Sequence, residues 1–226
     1  MKTIRAHIAL AIVLLLVSFS ANAIPLFETL SATNTYDSPH FVTVDDNDGR
    51  ATSTTAIDHD FAFQWTPGAT AQVSDIEIAL SLQDAYHTND ENIAQIFLMT
   101  DSGGLPGSII DSYQFSNLVS ETLGGSVLQG ISTMNPLVTA GVDYWLLVSA
   151  GIPGNGLVSS VGAHINDQGI SGRYVSYSDG VLDYSSIGTL AAFRVNGVSS
   201  VPEPAALALL GLGLAGLGFN RKREVS

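Results

Sequence analysis

Apolar and polar positions fall into three regimes along the chain. Near the N-terminal end, residues 8–19 are apolar except for Ser18, and Lys2 and Arg5 precede them. At the other end, residues 205–219 carry no charge and are followed by Arg221, Lys222 and Arg223. Between the two, the pattern changes to a period of two. From Ile76 onward, Ile76, Ile78, Leu80 and Leu82 alternate with Glu77, Ala79 and Ser81. That is the signature of a strand with one buried and one wet face. Residues 93–100 and 142–149 are more continuously apolar and rich in aromatic and β-branched side chains, and they read as central strands. Weaker strand patterns occupy 26–33, 41–44, 60–65, 108–115, 126–133, 157–165, 173–177 and 190–195.

Turn chemistry separates these segments. The stretch Asp101, Ser102, Gly103, Gly104, Leu105, Pro106, Gly107 is a loop between two strands. Residues 45–49, 124–125, 151–156 and 179–180 break the pattern in the same way. No stretch between the terminal runs has the 3.6-residue period of a long amphipathic helix. Many short strands at 8–12-residue spacing predict an all-β fold, a β-sandwich or jelly roll, over residues 24–200. The linker at 196–200 is short.

The two ends read as addresses. Residues 1–23 have the build of a secretory signal peptide, a basic start and an apolar middle, with Ala21 and Ala23 as the small residues that signal peptidase requires. Residues 201–226 open with Val201, Pro202, Glu203 and Pro204, which resist helix and stay extended. The apolar run behind them would rise about 22 Å as a helix, against about 30 Å of hydrocarbon. Four glycines weaken it further, which suits a segment used once and removed better than a permanent span. The cluster Arg221, Lys222, Arg223 belongs on the cytoplasmic side.

This order of Pro-Glu-Pro motif, Gly/Ala/Leu helix and basic end resembles the PEP-CTERM sorting signal of Gram-negative bacteria. The resemblance implies recognition and cleavage by an exosortase. It also implies export through the inner membrane with the C-terminus anchored until processing, then a cell-surface or extracellular location. It further implies a setting in which exopolysaccharide is made.

Charge narrows the partners. The whole chain carries −13. Between residues 24 and 200, three basic residues (Arg50, Arg173 and Arg194) face nineteen acidic ones, a net −16. Such a surface repels nucleic acid and anionic lipid, tolerates divalent cations and suits a neutral polymer, and its simplest role is to aid solubility. The chain has no cysteine, so disulfides, thiol nucleophiles and thiolate metal sites are excluded. A second resemblance rests on residues 61–65, 76–80, 98–107 and 137–146, whose order looks like that of choice-of-anchor ectodomains. It implies a β-rich module attached to a C-terminal anchor.

Candidate chemistry is sparse. Asp45, Asp46, Asn47 and Asp48 before Gly49 are the best metal candidates, since Ca²⁺ takes several oxygen ligands from one turn. The spacing fails the EF-hand pattern, because Gly49 comes one place early, and a solvated acidic turn is the simpler reading. Asp58, His59 and Asp60 would alternate across a strand and scatter. Lone histidines such as His40, His87 and His164, amid polar loop residues, read as surface groups or as satisfied ones. Asp84, Asp90 and Glu91 near Tyr86 offer carboxylates without a set spacing. Tyr174, Tyr177 and Tyr184 lie in a polar Ser/Gly/Asp-rich stretch and are the candidates for stacking on sugar rings. Trp65 and one of Tyr144 and Trp145 belong to the core by alternation. No nucleophile elbow, phosphate loop, dinucleotide fingerprint or His-Glu-x-x-His occurs.

The expectation is a non-enzymatic, exosortase-sorted surface or matrix protein with a structural or adhesive role and no required cofactor. The alternative is a polysaccharide-binding module, with Ca²⁺ as a possible aid.

Overall fold

The computed structural model describes residues 23–46, 59–83, 92–151 and 159–198. These described residues form thirteen antiparallel strands and one 3-10 turn at Glu121–Leu123. The tail from 199 onward, Ala21, Asn47, Asp48, Asp58, Asp84, Tyr86, His87, Asp90 and Glu91 lie outside the described residues.

Strand β4 (Ala71–Leu82) is the axis of the first sheet. On one flank it pairs with β13 (Phe193–Val198) and then β10 (Ser159–Ile165). On the other it pairs with β8 (Leu137–Val138) and β7 (Ser126–Ile131). β13 carries β1 (Ile24–Glu28), and β10 carries β2 (Asp37–Asp46). The second sheet runs β12 (Val181–Thr189), β11 (Ser171–Ser178), β3 (His59–Trp65), β9 (Tyr144–Ala150), β5 (Ile93–Asp101), β6 (Pro106–Ser116). One residue pair, Asp45 opposite His59, joins the two sheets at a corner.

The alternation along β4 sends Ile76, Ile78 and Leu80 into the space between the sheets. Val73 points the same way despite its odd spacing, because the register shift against β13 skips Ser74, a bulge that resets the phase. The facing sheet contributes Phe63 and Trp65 from β3, Ile96 from β5, and Leu146 and Val148 from β9, all fully buried. Each such side chain contributes about 1.5–3 kcal/mol. Both segments expected as central strands are central: β9 lies between β3 and β5, and β5 between β9 and β6. Alternation also sorts the aromatic pair. Tyr144 packs on Trp65 with ring centroids 5.4 Å apart, while Trp145 turns to the opposite face.

The outer faces are covered as well. On the first sheet, Leu30 lies over Ala79 and Ala192. On the second, Ala62, Trp145 and Val175 form a small cluster under Leu105 and Met99.

Several boundaries differ from the sequence reading, the linker among them, because residues 196–198 belong to β13. β2 begins at Asp37 and extends to Asp46, so Asp45 and Asp46 belong to the ladder with β10 and not to the turn that follows. Residues 29–33 leave the sheet after β1. Beyond Asp179 and Gly180, which turn with φ of 51° and 72°, the chain forms a strand that the pattern did not mark, β12. Two successive positive φ values are what a tight hairpin turn needs.

Candidate functional site

The hairpin of β11 and β12 carries the tyrosines singled out in the sequence. The Asp179-Gly180 turn folds β12 back so that Ser176 pairs with Tyr184 and Tyr174 with Ser186. Tyr174 and Tyr184 therefore share a face, with ring centroids 5.8 Å apart. Gly188 makes room for this: a Cβ there would stand 3.0 Å from Cε1 of Tyr174. Tyr174 also reaches the ring of Phe63 at 6.5 Å, which anchors the pair to the core. Tyr184 is the exposed member, at 49%. The hydrogen bond it donates to Tyr184 and partial burial hold the Tyr174 phenol above its ordinary range. Tyr184 is lowered by its contacts with Ser186 and Tyr174. Tyr177 is not part of this platform. It faces the other side, half-buried beside Val175 and Trp145, and burial raises its phenol.

Two clusters were not anticipated. The first locks the 102–105 loop. Asp101 accepts the indole N–H of Trp145 through Oδ1 (2.7 Å) and the backbone N–H of Gly104 through Oδ2 (2.9 Å). Gln64 adds a longer contact at 3.5 Å. Burial alone would raise the Asp101 carboxyl. The Gly104, Trp145 and Gln64 hydrogen bonds and the Arg173 charge outweigh it and hold the group below the ordinary carboxylate range. Gly104 has φ of 82°, a left-handed backbone that favours glycine, and a Cβ there would come within 2.5 Å of Arg173 Nη1 and displace the guanidinium. The sequence signal was the Gly-Gly loop itself; the indole partner was out of reach of any local pattern.

The second corrects the reading of His164. It is not a surface group but a fully buried residue of β10, set between the rings of Tyr36 (4.8 Å) and Phe41 (5.6 Å). Neither ring nitrogen reaches a hydrogen-bond partner in the structure. Burial pushes its pKa below the ordinary 6.5, and the nearby Asp37 and Ser38 backbone and Asp37 carboxylate only partly oppose this. With a folded pKa below the unfolded one, the unfolded chain takes up the proton first as pH drops. Stability is therefore full above about 6.5 and is lost as pH falls toward the folded value. Denaturant titrations at pH 7.5 and pH 5 should show a drop that is smaller in His164→Phe; equal drops in both proteins would refute this role.

Of the metal candidates, Asp45 and Asp46 are strand residues by backbone, and Asn47 and Asp48 lie outside the described residues. No group of three or more His, Asp or Glu side chains stands close enough to hold a metal among the described residues. His40 is exposed and bonded to Asp37 at 2.8 Å. Ala23 is exposed and immediately precedes β1. No helix among the described residues is long and apolar enough to cross a membrane.

A two-sheet β domain whose sequence continues with a Pro-Glu-Pro segment, an apolar run and a basic cluster defines a class: an exported domain delivered through a C-terminal address. Residues 200–223 match the family model of the PEP-CTERM protein-sorting motif, so the chain carries that sorting signal. That motif implies sorting by an exosortase, with the C-terminus held in the membrane before cleavage and the product placed at the surface or outside the cell. No curated protein matches the chain.

Proposed function

We propose that the released domain is a non-catalytic structural or adhesive component of the envelope or extracellular matrix, with its signal peptide removed between Ala23 and Ile24. The observation that carries this reading is the direct junction of domain and address. β13 ends at Val198 and the sorting motif is matched from residue 200, so cleavage near Pro202, Glu203 and Pro204 frees the sandwich with almost no spacer. The likeness to choice-of-anchor ectodomains fits the same arrangement.

Mass spectrometry of the protein released from exosortase-positive cells should find a chain that begins at Ile24 and lacks Arg221, Lys222 and Arg223. Deleting the gene should weaken matrix cohesion without loss of a metabolic activity. A full-length mass in the matrix would refute the processing, and unchanged cohesion would refute the role.

A second reading, binding of exopolysaccharide, is favoured by the Tyr174 and Tyr184 rings on the exposed hairpin. Aromatic faces present large apolar area with a polar tip, which suits the alternating faces of a pyranose. Glycan arrays with and without Ca²⁺ decide it: binding lost in Tyr184→Ala supports it, and the absence of any glycan signal removes it.

A further inference from the structure

Among the described residues, β12 is an uncovered edge of the second sheet. It has nine residues and pairs only with β11 among the described residues, so one side of its backbone has no ladder partner there. Such an edge accepts another extended chain and little else. Natural edges are blunted by proline, lysine, shortness or bulges. Two of the other outer strands show these devices. β1 is five residues long, contains Pro25 and is interrupted by a register shift. β6 begins with Pro106, shifts register twice, and turns Asp111 toward Ser132 after β7. β12 has no proline and no lysine. Its single irregularity, a shift that leaves Asp183 unpaired, sits near the turn, and 184–189 is regular. Its apolar side chains are open, with Ile187 exposed at 78% and Val181 at 68%.

Charge selects the occupant. Residues 24–200 carry −16, so two copies repel over most of their surface. Residues 171–189 hold only Arg173, Asp179 and Asp183, a net −1. This hairpin is where the domain meets itself at least cost. The sequence of β12 also fits its own reverse. With antiparallel pairing about Ser186, Tyr184 stands opposite the second copy's Gly188, Ser185 opposite Ile187, and Asp183 opposite Thr189. Large faces small, and no charge faces a like charge.

We propose that β12 pairs with β12 of a second copy of this chain, joining two second sheets into one continuous antiparallel sheet. The contact is two-fold and closes on itself, so it yields dimers rather than fibres. It keeps the Tyr174 and Tyr184 rings of both copies on one face. This deepens the structural reading above by naming the partner, yet the two fail separately: the matrix test reads the role, and the test below reads the pairing.

The chain has no cysteine, so a single introduced thiol reports on one contact. The full chain in mild detergent should sediment as a dimer at micromolar concentration. Ser186→Cys should form a disulfide-linked dimer on mild oxidation at least tenfold faster than Ser116→Cys, which places the thiol on the exposed end of β6. Ile187→Lys, at an exposed position, should keep the native circular dichroism and melting temperature and weaken self-association at least tenfold. A monomeric wild type, a dimer untouched by Ile187→Lys, or equal crosslinking rates at 186 and 116 would each overturn the pairing.

Discussion

Trp145→Ala is expected to lower the unfolding free energy by about 3–5 kcal/mol, the range for removing a large buried aromatic. Trp145 is fully buried although it points away from the main core. It lies in β9, paired on both sides, and packs with Ala62 and Val175 beneath Leu105 and Met99. Alanine leaves a void that the two flanking strands cannot close, and it deprives Asp101 Oδ1 of its closest partner. Trp145→Phe separates the two effects. It restores most of the volume and leaves the carboxylate without the indole N–H, which should cost about 1–3 kcal/mol. The measurement is a shift in denaturant midpoint at constant slope. A cost under about 1 kcal/mol for Trp145→Ala would mean that the outer face of the second sheet is not the sealed cluster described. Because Asp101 also holds Gly104, the loss should loosen the 102–105 loop and raise amide exchange there before any global change.

The same outer faces explain what the sequence did and did not show. Inward positions were legible because burial against the facing sheet writes itself into a period of two, as at Ile76, Ile78 and Leu80. The loop after Asp101 was legible because glycine is nearly obligatory at its φ values of 67° and 82°. β12 was missed for the opposite reason. Its side chains bury almost nothing, so Val181, Leu182, Tyr184 and Ile187 are interleaved with Asp183, Ser185, Ser186 and Gly188 without selection for an inner face. Its strand character comes from the Asp179-Gly180 turn and the β11 ladder, not from packing.

The tyrosine site was half legible. Tyr174 and Tyr177 are three residues apart, an odd spacing that puts them on opposite faces of one strand. That Tyr184 joins Tyr174 depends on the hairpin register, which required knowing that β12 exists. His164 is the harder case. Its strand was anticipated, while the histidine itself was read as one of the lone groups amid polar residues. What buries it is Tyr36, from a segment more than 120 residues earlier in the chain, so no local pattern announces the cover.

Arg194→Ala is expected to cost about 2–4 kcal/mol, through a different mechanism. Arg194 is one of three basic residues between 24 and 200, and the register of β13 places it opposite Glu77 on β4 and Glu28 on β1 at once. Its guanidinium donates to Glu28 Oε2 at 2.9 Å, to Glu77, to Asn34 Oδ1 at 3.2 Å and to the Ser31 backbone oxygen at 3.0 Å. Burial disfavours its charge, and the Glu28 and Glu77 carboxylates outweigh that, so the guanidinium is held even more firmly protonated than usual. Removing it strands Glu77, whose side chain is 18% exposed, and frees the 31–34 segment that leads toward Tyr36 and the cover of His164. The full 3–5 kcal/mol of a sealed pair does not apply, because Glu28 is 36% exposed and recovers water. Arg194→Lys should recover little of the loss, since one ammonium cannot replace a fork that serves four acceptors. Adding Glu77→Gln to Arg194→Ala should recover about 1 kcal/mol, by relieving the stranded carboxylate. If the double variant is instead as unstable as the two single losses added together, Arg194 and Glu77 are not coupled and the pair is only a surface contact.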